Sequence, residues 1–169
     1  MKQQAPKGKA RVGIVMGSDS DLEVMQEAGE VLRQAGVEFE TRVLSAHRAP
    51  EETAAFAKSA AGRGIQVIIA GAGGAAHLAG VMAAHSILPV IGVPLDATSL
   101  KGLDSTLSTL QMPPGVPVAT VSIGKWGARN AGILALQIMG LEDKSIAKFL
   151  TEFKEGLRKA VLEKDKKLR

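Results

Sequence analysis

The sequence contains no cysteine, which excludes disulfides, thiolate nucleophiles and cysteine-held zinc or iron–sulfur clusters. Tyrosine is absent too. Four Phe and one Trp bring the aromatic share to 3% of 169 residues, leaving almost no surface on which nucleic-acid bases could stack. No uninterrupted apolar run approaches the ~20 residues of a membrane-spanning helix, and the first residues lack the apolar core of a signal peptide. Charge of one sign is scarce over most of the chain. The net +4 collects at the ends, because residues 12–140 hold eight basic against eleven acidic side chains. No His-x-x-x-His pair or carboxylate cluster suggests a metal, and no Gly-x-Ser-x-Gly elbow suggests a serine hydrolase. A soluble, cytoplasmic protein without nucleic-acid or membrane partners is expected.

What is present is apolar and glycine-rich: 46% hydrophobic residues and 19 glycines. Residues 1–10, with Pro6 and Gly8, are expected to be a flexible tail, and 11–169 a single α/β domain. Val12–Met16, Val67–Ala70, Pro89–Val93 and Pro117–Ile123 are continuous Val- and Ile-rich runs, the pattern of strands buried on both faces of a parallel sheet. Val37, Phe39, Thr41 and Val43 recur at period two, predicting a strand wetter on one side. Leu22–Gln34 and Pro50–Arg63 carry helical spacing and are followed by Gly36 and Gly64 as stops. The alternation predicts a doubly wound, three-layer αβα fold with a flavodoxin-like parallel sheet, in which ligands bind beyond the carboxyl ends of the strands. A small-residue helix over Ala128–Met139 and a striped helix from about Glu142 to the end exceed what one small sheet can cover. One or both are expected to pack on neighbouring subunits.

Three loops then fall at the ligand edge. Gly17-Ser18-Asp19-Ser20-Asp21 offers a tight turn, hydroxyls and helix-start N–H groups for phosphate, and a carboxylate for ribose hydroxyls. The same residues are also what any helix start prefers as caps. Ser45-Ala46-His47-Arg48-Ala49-Pro50 sets a planar guanidinium beside an imidazole that changes protonation near neutral pH. Gly71-Ala72-Gly73-Gly74-Ala75-Ala76-His77 matches the spacing of a dinucleotide fingerprint. That fingerprint belongs to the first strand of its unit, and here two strands precede it. A surface that a flat ligand can approach closely, with His77 at its edge, fits the loop better. His85 reads as a surface or interface residue. The residues alone therefore point to a phosphate-bearing small molecule, acid–base chemistry at His47 and no metal.

Six motifs in order, Gly17–Asp21, Ser45–Pro50, Val67–Gly80, Pro89–Pro94, Asp104–Thr120 and Asn130–Ile138, resemble the N5-carboxyaminoimidazole ribonucleotide mutases of purine biosynthesis. These are also called catalytic subunits of phosphoribosylaminoimidazole carboxylase, and the resemblance spans about residues 11–140. It implies a cofactor-free shift of a carboxylate from the exocyclic nitrogen to ring carbon C4. Ser18, Asp21 and Arg48 are implied as substrate-binding residues, with Ser20 and Ser45 near the phosphate. His47 is implied as the general acid and base. Gly73, Gly74, Ala75 and His77 resemble the loop enclosing the aminoimidazole, and His77 joins His47 as a catalytic candidate. Gln111 and Met112 resemble a cover lent by a neighbour in a homo-octamer, with an ATP-dependent N5-carboxyaminoimidazole ribonucleotide synthetase as functional partner. Arg48 and Gly71–Gly74 look like the mutase branch rather than relatives that take CO2 directly. Ala79 and Ala49 stand where Pro and Thr are usual, and Trp126 is unusual among the small residues there. Direct carboxylation of the unmodified ribonucleotide and a non-enzymatic nucleotide-binding module are the alternatives.

Overall fold

The structure, a computed structural model, describes residues 9–169; all but the last two residues of the expected N-terminal tail lie outside them. Two compact units are present, one reaching to Ala135 and one over Leu136–Arg169. In the first, five strands form one parallel sheet: β1 (Val12–Met16), β2 (Phe39–Val43), β3 (Val67–Gly73), β4 (Val90–Leu95) and β5 (Ala119–Thr120). Their order, β2-β1-β3-β4-β5, is the expected flavodoxin-like one.

Burial follows the residue pattern. β1 and β4 are buried at every position, whereas edge strand β2 is half-buried at first and exposed at Arg42 and Val43. Helices α1 (Leu22–Gln34) and α2 (Pro50–Arg63) have the bounds their spacing predicts. Pro50 opens α2, and Gly64 closes it at φ 98°, a left-handed conformation that glycine adopts without strain. α2 and α3 (His77–His85) cover one sheet face, where Phe56, Ala60, Leu78 and Met82 pack on Val15, Ile68 and Ala70. On the other face, Gly71 leaves room for Met25 of α1: a Cβ there would collide with its sulfur. α5 (Gly124–Met139) lies close to α1, since a Cβ on Gly132 would come within 2.8 Å of the Ala28 carbonyl oxygen.

α4 (Leu103–Leu110) is fastened to β4 by the buried Ser105, whose hydroxyl donates to the Leu95 carbonyl at 2.9 Å. β5 is shorter than its apolar run predicts. Only Ala119 and Thr120 register with Ile91 and Gly92, and Pro117 has no N–H to extend the ladder. In the second unit, Asp143 caps α6 (Lys144–Lys166) through Ser145 N–H at 3.1 Å and Ile146 N–H at 3.3 Å, and Phe149 stacks on Phe153. Among the described residues no helix is long and apolar enough to cross a membrane.

Candidate active site

A cavity of about 380 Å³ opens at the carboxyl edge of the sheet. One wall is the turn after β1. Ser18 caps a 3₁₀ turn over Asp19–Asp21 by accepting from Ser20 N–H, and the Ser20 hydroxyl donates to Ser18 Oγ at 2.9 Å. Asp21 stands at the N-cap of α1 and makes no side-chain capping bond, so capping does not account for its carboxylate. That group lies in the cavity wall. Burial pushes it above 3.8, an effect partly offset by hydrogen bonds from Ser18 N–H and the Ser20 hydroxyl and by the Arg48 charge.

The loop after β2 supplies the second wall. Arg48 donates through Nη2 to the Gly17 carbonyl at 2.6 Å and through Nε to Ser45 Oγ at 3.2 Å, tying the ends of β1 and β2 together. Beside it, His47 Nε2 lies 2.5 Å from His77 Nδ1, and the rings meet edge to face at 77° with centroids 4.7 Å apart. One hydrogen must occupy that short gap, so one ring donates and the other accepts. His77 reaches this position because Ala76, at φ 48°, turns the chain sharply before the first residue of α3. Between the polar walls the cavity is lined by small apolar groups, among them Ala46, Ala72 and Leu78. Such a site can hold an anion on serine hydroxyls and a guanidinium while presenting a proton-transfer pair to whatever the anion carries. Among the described residues no cluster of three His, Cys, Asp or Glu could hold a metal ion.

The model of the AIR carboxylase family matches residues 11–160. The chain belongs to this family. The N5-carboxyaminoimidazole ribonucleotide mutase of Thermotoga maritima is 54% identical over 158 residues, covering 94% of this chain and 91% of its own. The Bacillus subtilis protein of the same name is 54% identical over 157 residues, covering 93% and 97%. In three dimensions, the crystal structure of Treponema denticola PurE superposes with a TM-score of 0.85 at 31% identity, covering 94% of this chain and 98% of the other. AIR carboxylase family membership and the doubly wound fold thus agree with what the residues implied.

Ser18, Ser20, Asp21, Ser45, His47, Arg48, Gly73 and His77 all converge on the cavity. Gly74, at φ 61°, shapes the turn without lining it, and Ala75 is exposed beside it. Gln111 and Met112 follow α4 and are absent from this chain's cavity wall; Met112 packs instead toward Gly80 of α3. His85, at the end of α3, is exposed and apart from the cavity. Two lining residues lie outside the three loops read from the sequence: Leu78, in the first turn of α3, and Ala97, in the loop after β4. The rule that ligands gather at carboxyl strand ends applies to β4 as well as β1–β3, and was the available signal.

Asp21 carries a testable cost. Its carboxyl is held above the unfolded value, so the folded state gains protons more readily than the unfolded one, and stability falls as pH rises through that range. Asp21→Asn is therefore expected to melt at a higher temperature than the parent at pH 7. The gain should vanish below pH 3.8, where both forms are neutral. Thermal melts across pH 3–7 check this, and a gain independent of pH would contradict it.

Proposed function

We propose that this chain converts N5-carboxyaminoimidazole ribonucleotide to its 4-carboxy isomer in purine biosynthesis, with His47 as general acid and base and His77 as its partner. The observation carrying this reading is the 2.5 Å His47–His77 contact within a cavity whose other wall is the serine- and aspartate-bearing turn after β1.

The chemistry needs little else. When the N–C bond of the N-carboxylate breaks, its electron pair stays on nitrogen, which takes a proton from His47, and CO2 is set free in the cavity. The aminoimidazole so formed is nucleophilic at C4. Attack on CO2 makes the new C–C bond, and His47 recovers a proton from C4 as aromaticity returns. One proton is lent and one regained, so the reaction is an isomerisation. Ser18, Ser20, Ser45 and Arg48 hold the 5′-phosphate, and Asp21 the ribose hydroxyls, keeping the ring in place while the carboxyl group moves. Gly73, Gly74 and Ala75 form the turn against which the heterocycle lies.

We further infer a cytoplasmic homo-octamer in which α6 packs on neighbouring subunits and the Gln111-Met112 loop covers a neighbour's cavity. Its substrate is supplied by an ATP-dependent N5-carboxyaminoimidazole ribonucleotide synthetase. Leu103, Leu107 and Leu110 form one stripe along α4, each at least half exposed, and Trp126 on α5 is 83% exposed, which supports burial against other copies. Sedimentation measures the assembly.

For the reaction, the purified protein is offered the N-carboxylated ribonucleotide, or the unmodified ribonucleotide with bicarbonate. Only the first is expected to yield the 4-carboxy product at an enzymatic rate. Comparable consumption of the second would assign direct carboxylation instead.

A further inference from the structure

The loop after β4 closes the cavity beside the glycine turn. Ala97 is the residue it places in the wall, directly against Gly73. A Cβ built on Gly73 would lie 2.5 Å from the Ala97 Cβ, so only hydrogen fits between the two. The loop is held from outside the cavity. Thr98 Oγ1 donates to Asp104 Oδ2 at 2.6 Å, and Asp104 Oδ1 accepts from Ser105 N–H at 2.9 Å, fixing the carboxylate to the first turn of α4. Thr98 also accepts twice, its hydroxyl from Leu100 N–H at 3.2 Å and its carbonyl from Lys101 N–H at 3.0 Å. The chain between them turns through two left-handed residues, Lys101 at φ 50° and Gly102 at φ 86°. A lysine disfavours that conformation, so the closed turn depends on the bonds that clasp it.

Resting on the mutase reading above, we propose that Thr98 and Asp104 are positioning residues for carboxyl retention. Their hydrogen bond holds Ala97 against Gly73 and shuts the wall through which CO2 would leave between N–C cleavage and attack by C4. Free CO2 is small and uncharged, so shape confines it where no ion pair can. The phosphate anchors belong to the loops after β1 and β2. Loosening the β4 loop therefore changes how often the gas escapes without changing how tightly the ribonucleotide binds.

The test is a partition ratio: unmodified ribonucleotide released per 4-carboxy product formed by the full-length protein, after subtracting the enzyme-free loss of CO2. Thr98→Val keeps the side-chain shape and removes the hydroxyl, and with it the bond to Asp104 and the one accepted from Leu100 N–H, an amide that water can reach. It is expected to raise the ratio about three- to tenfold, the scale of losing the bond to Asp104, with KM within twofold of the parent. Asp104→Ala is expected to do the same; if it fails to fold, Thr98→Val alone decides. Asp104→Asn keeps both bonds, its amide oxygen accepting from Ser105 N–H and its NH2 donating to Thr98 Oγ1, and is expected to stay near the parent ratio. An unchanged ratio in Thr98→Val, or an equally raised one in Asp104→Asn, would overturn the assignment. A parent protein that fails to convert the N-carboxylated substrate would overturn the mutase reading itself, and this proposal with it.

Discussion

Replacing His47 by Asn is expected to lower kcat by about 10²- to 10⁴-fold, the usual worth of a positioned acid–base group, while substrate affinity changes only a few-fold. The separation follows from where the groups sit. Asn ends about where the imidazole Nδ1 stood, so the 2.5 Å contact that His47 Nε2 makes with His77 Nδ1 is given up. It cannot lend a proton to the departing nitrogen or recover one from C4. The proposed anion contacts, Ser18, Ser45 and Arg48, are held without the imidazole: Ser18 Oγ accepts from the Ser20 hydroxyl, and Arg48 donates to Ser45 Oγ and the Gly17 carbonyl. Steady-state turnover together with calorimetric binding of the unmodified ribonucleotide separates the two effects. Turnover within tenfold of the parent would remove His47 from the chemistry.

Gly127→Ala is the substitution expected to harm folding most. Its Cβ would collide with the Ser122 carbonyl oxygen and lie 2.6 Å from the carbonyl carbon. These are backbone atoms of the turn that leads into α5, and they have no rotamer by which to step aside. A loss of about 2–4 kcal/mol is expected for such an overpacked backbone contact. In a chain of this length that lowers the melting temperature by roughly 4–16 °C. Gly62→Ala is the control: it lies within α2 with nothing inside 4 Å of the new methyl. There the better helix propensity of Ala should raise stability by up to about 1 kcal/mol. A shift under 2 °C for Gly127→Ala would show that the turn can move. The damage should extend to the site, since the first turn of α5 carries Lys125, which holds Glu23 of α1 at 2.6 Å just beyond the Ser18–Asp21 turn.

Much of this was legible in the residues because the strongest signals are local. α1 and α2 begin and end where their apolar spacing and flanking residues say, and β1 spans its whole Val- and Ile-rich run. β5 was not legible in length, because pairing is decided by its neighbour: the register with β4 ends at Thr120, and one further bond runs from Val121 N–H to the Gly92 carbonyl at 3.1 Å. The members of the site were readable as strand-end loops, but their contacts were not. His47 and His77 are 30 residues apart and follow strands that flank β1, roughly 10 Å from each other at ordinary strand spacing. They meet only because both side chains reach across the end of β1, an outcome of strand order and of the left-handed Ala76. Ala97 has no chemical signal of its own, since an alanine earns a place in a wall only through the fold around it.

The Arg48 guanidinium already has two acceptors, the Gly17 carbonyl and Ser45 Oγ. Those two bonds use two of its five N–H donors, so the plane of the guanidinium is set while three donors remain. On the phosphate role proposed above, an incoming anion would meet a fork already oriented, with no carbonyl to displace. The entropy of ordering a long, flexible side chain is then lost during folding and not at the moment of docking.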